Sequence, residues 1–369
     1  MRAEVRRFTM AHPGDVSALA AAIDRGEVTA ASIVAIIGKT EGNGGVNDFT
    51  RGYFTQSLML MLSGYLGEPA ESLKARLPCV LSGGTEGVLS PHYVVFMRAP
   101  DAGDARPPAG RFALAVGTAF SDPLPAEAVG RAAQVRSVAQ AVQAAMRDAG
   151  LVSASEVQFV QVKCPCVTSE RAADALARGA SLRTSNPGRS MAYARAAGAF
   201  GVALALGERT ESDLDESAML EDFSVQSSRA SISSGVEVVS NEVIVLGNSS
   251  AWSGPLLVSC HVMQDALDIA GVTLALEGAG IHPSPQVSGV DRARIRGVFV
   301  KCEPDRRGRI AGNRHTMLDD TDIDAQRHIR GALGGLVSGV IGDNRIFVSG
   351  GAEHQGPDGG GLLAVVAER

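Results

Sequence analysis

The chain has 369 residues, of which 45% are hydrophobic, 20% are charged and 4% are aromatic. Its 34 basic and 40 acidic side chains give a formal charge of −6 without any basic run, a balance that argues against binding to nucleic acid or an anionic membrane surface. No stretch reaches the roughly 18 apolar residues of a membrane span. The charged N-terminal segment and the absence of CxxC spacing among five cysteines indicate a cytoplasmic protein with reduced thiols.

Two Pro- and Gly-rich stretches, residues 100–110 and 247–255, divide the sequence into three segments of comparable length. We interpret these segments as repeat units over residues 1–103, 111–248 and 254–369. All three units follow the same order of predicted elements, and such self-similarity is typical of an internally repeated fold.

Each unit opens with a β-like run and continues with an amphipathic helix that stops at a glycine. The opening strands are predicted over Val5–Met10, Phe112–Phe120 and Leu256–Met263. The helices are predicted to end at Gly26, Gly150 and Gly280.

An apolar strand that ends in lysine comes next, and an arginine lies in a second helical region after it. The lysines are Lys39, Lys163 and Lys301, and the arginines are Arg51, Arg195 and Arg327. A Ser-small-small-x-Glu element then begins at Ser82, Ser233 and Ser349, and a closing strand completes each unit. We therefore predict an α/β protein of three homologous α/β repeat units, arranged around a pseudo-threefold axis with one central active site.

The recurring serine and lysine suggest nucleophilic chemistry. A serine attacks a carbonyl only when a neighbouring base takes its proton, and a lysine can be that base if its pKa falls by about 3 units. A lysine at the end of an apolar strand, beside arginines, meets this condition through burial and nearby positive charge. The residue after each serine is small, which would let a backbone N–H approach a developing oxyanion. Three copies of arginine and serine suit a planar, threefold, carbonyl-rich ligand.

Other catalytic motifs are missing or incomplete. The segment GKT at residues 38–40 lacks the first glycine of a P-loop, and no GxSxG elbow or HExxH zinc motif occurs. The glycine-dense segment AEHQGPDGGG, residues 352–361, could expose carbonyl oxygens to Mg²⁺ or Ca²⁺, with Glu303 as the candidate carboxylate. Spacing alone favours an ordinary loop there.

Several long motifs resemble the ring-opening amidohydrolases, and the likeness runs through nearly the whole chain. These motifs include GKTEGNGGVNDFTRG, SGGTEGVLSPH, SMAYARAAGAFGVALALGE, HTMLDDTDI and FVSGGAEHQGPDGGG. The resemblance implies hydrolysis of one amide of a cyclic substrate. In this family, cyanuric acid is opened to carboxybiuret, which loses CO₂ to become biuret, and related members act on barbituric acid.

The resemblance also implies that only the middle unit does the chemistry, with Ser233 as nucleophile and Lys163 as general base. Lys39 and Lys301 would be the equivalent lysines of the other units. Ile323, four residues before Arg327, lies where the two substrate rings could be distinguished. The residues expected to hold the ring are Arg51, Ser82, Gly83, Arg195, Ser233, Ser234, Arg327, Ser349 and Gly350.

No cofactor is expected for the chemistry, but the resemblance implies a structural Mg²⁺ or Ca²⁺ ion and a homotetramer. It therefore outweighs the interpretation of the last glycine-rich segment as an ordinary loop. Two alternatives stay open: a barbiturase acting on barbituric acid, and a non-catalytic protein that binds cyclic imides with the same arginines. The expected cation ligands are Glu303, Ala352, Gln355, Gly356, Pro357 and Gly360.

Overall fold

The computed structural model describes residues 1–100 and 112–369. Most of the predicted linker at 100–110, the end of the first predicted unit and the first residue of the second lie outside these described residues. Within them the chain folds into a mixed α/β protein with three four-stranded sheets and one small two-stranded sheet. No helix in the described ranges is sufficiently long and apolar to cross a membrane.

The first sheet has the strand order β1-β4-β2-β3, in which only β2 and β3 run parallel. Two helices make the crossover between the parallel strands, a connection that antiparallel neighbours do not need. The elements are β1 (Arg2–Thr9), α1 (Ser17–Asp24), β2 (Ile33–Thr40), α2 (Phe49–Leu66), α3 (Ala70–Lys74), β3 (Cys79–Gly83) and β4 (His92–Ala99).

The second sheet repeats this topology with the order β5-β8-β6-β7, and β6 and β7 are its parallel pair. Its crossover contains a long helix that is buried along most of its length. The elements are β5 (Ala113–Phe120), α4 (Ala132–Asp148), β6 (Val157–Pro165), α5 (Ser169–Ala177), α6 (Pro187–Ala205), β7 (Ala230–Gly235) and β8 (Glu242–Ser249).

The third sheet has the order β9-β14-β10-β13, with β10 and β13 parallel. A small hairpin, β11 with β12, lies within its crossover. The elements are β9 (Leu256–Met263), α7 (Ile269–Gly278), α8 (Gly289–Arg294), β10 (Ile295–Lys301), β11 (Arg309–Ile310), β12 (Asn313–Arg314), α9 (Ala325–Ile341), β13 (Phe347–Ser349) and β14 (Gly361–Glu368).

Glycines end the first helix of every unit, as predicted. Gly26, Gly150 and Gly280 follow α1, α4 and α7 with φ values of 70°, 65° and 73°. This left-handed backbone is the usual stop signal of a helix, and glycine adopts it without a steric penalty.

The three sheets share one hydrophobic core. Phe299 of the third sheet lies at its centre, with ring centroids 6.1 Å from Phe96 of the first sheet and 5.3 Å from Phe159 of the second. Because all three sheets bury apolar side chains against one another, the ends of their strands are held in fixed relative positions.

The predicted α/β class is confirmed, and the identical strand order of the three sheets agrees with the predicted repeat. The unit boundaries and the pseudo-threefold axis stay predictions. For function, the important feature is the parallel strand pair of each sheet. The predicted lysines lie near the carboxyl ends of β2, β6 and β10, and the predicted serines lie near the carboxyl ends of β3, β7 and β13.

Candidate active site

Each predicted lysine is the register partner of a predicted serine across a parallel strand pair. The pairs are Lys39 with Ser82, Lys163 with Ser233, and Lys301 with Ser349. All six side chains are buried. One small cavity joins the three strand ends, and its walls are formed by Gly44, Arg51, Leu81, Ser82, Gly83, Lys163, Met191, Arg195, Ser233, Ser234, Arg330, Ser349 and Gly350.

The lysine amines of the first and third units contact the serines of their own units. Lys39 Nζ lies 3.3 Å from Ser82 Oγ, and Lys301 Nζ lies 3.1 Å from Ser349 Oγ. Both amines also donate to the carbonyl of the residue after the serine. These hydrogen bonds join a lysine amine, the candidate base, to a serine hydroxyl, the candidate nucleophile.

The middle unit is arranged differently. Lys163 Nζ forms an ion pair of 2.7 Å with Glu237 Oε1 and donates to the carbonyl of Leu81 at 3.0 Å. Within the described ranges it makes no hydrogen bond to Ser233. The Ser233 hydroxyl instead lies 3.5 Å from the hydroxyl of Ser349, so two serines of different units meet in the cavity.

Burial lowers the pKa of all three lysines, because a charged amine loses its hydration inside the protein. The pKa of Lys39 falls well below its usual value, and nearby Arg330 adds to the effect. Burial and Arg195 lower the pKa of Lys301 to about 7. Burial also lowers the pKa of Lys163, although Glu237 opposes the change. A lowered pKa favours the uncharged amine, which is the form that can accept a proton.

Three bidentate ion pairs connect the units around the cavity. In each, Nε and Nη2 of an arginine donate to both carboxylate oxygens of a glutamate from the next unit, a geometry that suits the planar guanidinium. The glutamate is always the last residue of a Ser-small-small-x-Glu element. The shortest distances are 2.7 Å for Arg51 with Glu237, 2.6 Å for Arg195 with Glu353, and 2.6 Å for Arg330 with Glu86.

These ion pairs also control the protonation of the glutamates. Burial alone would raise the pKa of Glu237, but Lys163 and Arg51 lower it to about 2. Arg195 overcomes burial in the same way and lowers the pKa of Glu353 to about 2. These carboxylates are therefore ionised at neutral pH and hold the arginine side chains at the cavity wall. Arg51 is held further by Asp48, whose Oδ2 lies 3.3 Å from Arg51 Nη1.

The third arginine of the cavity is Arg330, and the prediction that Arg327 occupies this position is wrong. The Arg327 side chain is 50% exposed and lies outside the cavity wall, although its Nε contacts Glu86 at 3.3 Å. The Arg330 side chain is only 6% exposed and lines the cavity. Both residues belong to α9 and are three positions apart, so they lie on neighbouring parts of the same helix face.

Ile323 is also located differently from the prediction. It precedes α9, is 47% exposed and does not line the cavity. A side chain in this position cannot distinguish cyclic substrates by direct contact inside the cavity. The predicted role in substrate discrimination therefore has no geometric support.

The residues after the serines are small for identifiable reasons. A Cβ at Gly83 would collide with the carboxylate of Asp48, and one at Gly350 would lie 2.7 Å from Gln326 Oε1. The middle unit has Ser234 at this position, and its buried Oγ has no hydrogen-bond partner among the described residues. An unpaired buried hydroxyl is costly, so this one is well suited to bind a ligand group.

Sequence reasoning missed Arg330 and the three glutamates. The glutamates carried a signal, because they recur in the same Ser-small-small-x-Glu element as the serines. Their partners could not be identified, since each ion pair joins two different units. Arg330 carried no comparable signal, because helix periodicity does not separate it from Arg327.

Two of the predicted cation ligands, Glu303 and Ala352, are in contact in the structure. Glu303 Oε2 accepts the backbone N–H of Ala352 at 2.6 Å, and burial together with Glu353 raises the pKa of Glu303 to about 7. The donor set is one carboxylate with carbonyl and amide oxygens, which is the chemistry that Mg²⁺ and Ca²⁺ prefer. No group of three His, Cys, Asp or Glu residues in the described parts of the chain could hold a metal. The residues fit a hard cation by donor type, and the ion stays a prediction. Glu303 Oε1 is paired with Arg306 at 2.8 Å, and Gln355 Oε1 accepts the Ile232 N–H at 2.6 Å.

Comparison with known proteins places this geometry in context. Cyanuric acid amidohydrolase from Azorhizobium caulinodans is 49% identical, over 100% of this chain and 98% of its own length. The enzyme of that name from Bradyrhizobium sp. is 46% identical, with 100% and 98% covered. A solved cyanuric acid hydrolase, described as an evolutionary innovation by structural concatenation, has a TM-score of 0.95 and 44% identity, with 100% and 99% covered. The crystal structure of the A. caulinodans enzyme has a TM-score of 0.90 and 48% identity, with 100% and 99% covered.

The fold and the cavity define an α/β enzyme in which three sheets supply serine and lysine side chains, and the helices beside them supply arginines, to one site. The family model described as amidohydrolase ring-opening protein matches residues 4–368, and the chain belongs to that family. The resemblance seen in the sequence and the predicted class, a cyclic amide hydrolase, are confirmed.

Proposed function

We propose that this chain hydrolyses cyanuric acid and opens its ring to carboxybiuret, which loses CO₂ to become biuret. The observation that carries the proposal is the small cavity to which each of the three units contributes a serine from a strand end and an arginine from a helix. The names of relatives that are nearly half identical over the full chain support the substrate.

Cyanuric acid would suit the cavity because its carbonyl oxygens accept hydrogen bonds and the cavity is lined by arginine and serine donors. Its three carbonyl oxygens repeat around a threefold axis, and we propose that the three units surround it with a pseudo-threefold arrangement of donors. The donors would be Arg51, Arg195 and Arg330, aided by the serine hydroxyls and by the N–H groups of Gly83, Ser234 and Gly350. Because glutamates hold the guanidinium groups, little side-chain entropy is lost when the ring binds.

In the proposed reaction, Lys163 accepts the proton of the Ser233 hydroxyl while Oγ bonds to a ring carbonyl carbon. The carbonyl oxygen becomes an oxyanion, and a backbone N–H after a serine stabilises it. The ammonium of Lys163 then protonates the departing ring nitrogen as the C–N bond breaks. Water hydrolyses the resulting acyl-serine, with Lys163 again accepting a proton.

The structure supports a role for the middle unit through its differences from the other two. Only this unit has a second serine beside the first, and that hydroxyl is buried without a partner among the described residues. The contact between Lys163 and Glu237 replaces the lysine–serine hydrogen bond of the other units. Catalytic hydrogen bonds are often loose before substrate binds and shorten in the complex, so the present geometry is compatible with a Ser233–Lys163 dyad.

We also propose the structural Mg²⁺ or Ca²⁺ ion and the homotetramer. The cation would be held by Glu303 and by oxygen atoms of the segment that contains Ala352, Gln355, Gly356, Pro357 and Gly360. When bound, it would supply positive charge beside two buried carboxyl groups, Glu303 and Glu353. Its role is thus to hold this segment in place, and no step of the proposed reaction depends on it.

The decisive experiment compares Ser82→Ala, Ser233→Ala and Ser349→Ala. Release of biuret from cyanuric acid should stop in Ser233→Ala, whereas cyanuric acid binding measured by calorimetry should persist, because the arginines remain. A Ser82→Ala or Ser349→Ala protein that is inactive beside an active Ser233→Ala protein would contradict the assignment.

The same purified enzyme should be assayed with barbituric acid. Faster cleavage of barbituric acid than of cyanuric acid would make the chain a barbiturase. Binding of either ring without any turnover would make it a cyclic-imide-binding protein.

A further inference from the structure

The residue opposite the lysine differs among the three units, although the strand pairing is the same. In the antiparallel register, Lys39 pairs with His92 and Lys163 pairs with Glu242. In the third unit the last paired residues of β10 and β14 are Val300 and Leu363, so Lys301, the next residue, has no register partner on β14. The middle unit is therefore the one that places a carboxyl group directly across the sheet from its lysine.

Glu242 lies inside the protein and is not used by the proposed reaction. It is only 7% exposed, and its Oε2 accepts the backbone N–H of Cys79 at 3.0 Å, across the boundary between the first two units. Among the described residues it forms no ion pair, unlike Glu237, which is shared between Lys163 and Arg51. The titratable groups that face Glu242 from neighbouring elements are Lys163 on β6, Glu237 after β7, Cys79 on β3 and Lys74 on α3.

Cross-strand neighbours have Cβ atoms about 4.5–5.5 Å apart, on the same face of the sheet. Charges buried inside a protein attract each other far more strongly than in water. Glu242 forms no ion pair with Lys163 among the described residues, but burial lowers the pKa of Lys163 and the charge of Glu242 is one of the influences that oppose this change.

We propose that Glu242 is a positioning residue that stabilises the ammonium form of Lys163 at the moment when that amine takes the proton of Ser233. The inference rests on the proposed function. In this step the Ser233 O–H bond breaks, its proton passes to Lys163 Nζ, Oγ bonds to the ring carbonyl carbon, and the carbonyl electron pair moves to oxygen. Glu242 forms and breaks no bond; its charge favours the newly formed ammonium, as the aspartate of a Ser-His-Asp triad favours the imidazolium.

The stabilisation depends on pH, because only an ionised Glu242 can supply it. Burial raises the pKa of Glu242 to about 8; Glu237 adds to this rise, while the Cys79 N–H and Lys163 oppose it. At low pH the carboxyl is neutral and resembles an amide. Above about pH 8 it is charged, and its charge favours protonation of the Lys163 amine in the transition state.

The test compares Glu242→Gln with a matched control, His92→Gln. His92 is buried and occupies the same register position opposite Lys39 in the first unit. The measurement is kcat/KM for cyanuric acid between pH 6 and 10. We expect Glu242→Gln to equal the unaltered enzyme below about pH 7 and to fall behind as pH rises, by up to about tenfold, the factor that corresponds to one pKa unit. We expect the ratio for His92→Gln to stay constant, and Glu242→Asp to recover part of the activity at high pH.

A ratio for Glu242→Gln that does not change with pH, or a deficit of the same shape in His92→Gln, would overturn the inference. Should Glu242→Gln fail to fold, Glu242→Asp decides, because the inference requires its deficit relative to the unaltered enzyme to depend on pH. The proposed function fails separately if Ser233→Ala remains active. If Ser233→Ala is inactive and the kcat/KM of Glu242→Gln relative to the unaltered enzyme does not change with pH, only this inference is wrong and the proposed function stands.

Discussion

Replacing Glu237 by glutamine should destabilise the protein strongly, because this carboxylate holds two buried cations at once. Its Oε1 lies 2.7 Å from both Lys163 Nζ and Arg51 Nε, and the Lys163 and Arg51 side chains are only 1% and 2% exposed. Breaking a buried ion pair by removing one partner typically costs about 3–5 kcal/mol, since the other charge stays unpaired. In Glu237→Gln, Lys163 would lose its carboxylate partner, whereas Arg51 would keep Asp48 at 3.3 Å.

The pKa of Glu237 gives a second measure of the same interaction. The folded protein holds it at about 2, below its ordinary value of 4.5. A group with a depressed pKa contributes stability above its unfolded pKa and loses that contribution as pH falls. The difference corresponds to about 3 kcal/mol at neutral pH, which decreases between about pH 4.5 and pH 2.

Urea unfolding of Glu237→Gln and of the unaltered chain, at pH 7 and at the lowest pH where both remain folded, would check this prediction. The difference in free energy of unfolding should be about 3 kcal/mol at pH 7 and should shrink as pH decreases below 4.5. Glu211→Gln is the matched control, because Glu211 and Arg136 are 71% and 56% exposed at 3.5 Å and should contribute nothing measurable. Equal stability of the two variants at pH 7, or a difference that does not depend on pH, would refute the reasoning.

Three further predictions concern the cavity and the cation. Arg330→Ala should raise the KM for cyanuric acid at least tenfold, because a charge-assisted hydrogen bond contributes about 1.5–3 kcal/mol. The matched control is Arg327→Ala, which removes an exposed side chain and should change the KM less than twofold. Equal effects of the two substitutions would contradict the assignment of Arg330 to the cavity. Ser234→Ala should lower kcat/KM several-fold without lowering the melting temperature, because the hydroxyl has no partner to lose among the described residues. A clear decrease in the melting temperature would contradict the prediction that this hydroxyl serves only the ligand. Mg²⁺ or Ca²⁺ should raise the melting temperature of the unaltered chain but not that of Glu303→Gln. At a cation concentration of one hundred times Kd, the free energy of unfolding should increase by about 2.7 kcal/mol. If the melting temperature of neither protein changes, the proposed ion is wrong.

The sequence by itself determined the repeated order of elements and the position of each lysine and serine within it. Glycine at the helix ends, apolar strands before Lys39, Lys163 and Lys301, and small residues after the serines are local signals, because they depend on backbone conformation and on neighbours along the chain. For the same reason, the sequence was sufficient to predict that lysines and serines meet at strand ends.

Only the tertiary structure decided which groups meet across units. Helix periodicity places Arg327 and Arg330 on one face, and only the packing of α9 shows that the second is buried and the first is exposed. The pairing of Arg51 with Glu237, 186 residues apart, depends on how two sheets pack and leaves no local trace. The burial of Glu242 opposite Lys163 likewise depends on strand register. Charge interactions act through space, so residues distant in sequence set the electrostatics of this site once the sheets have packed together.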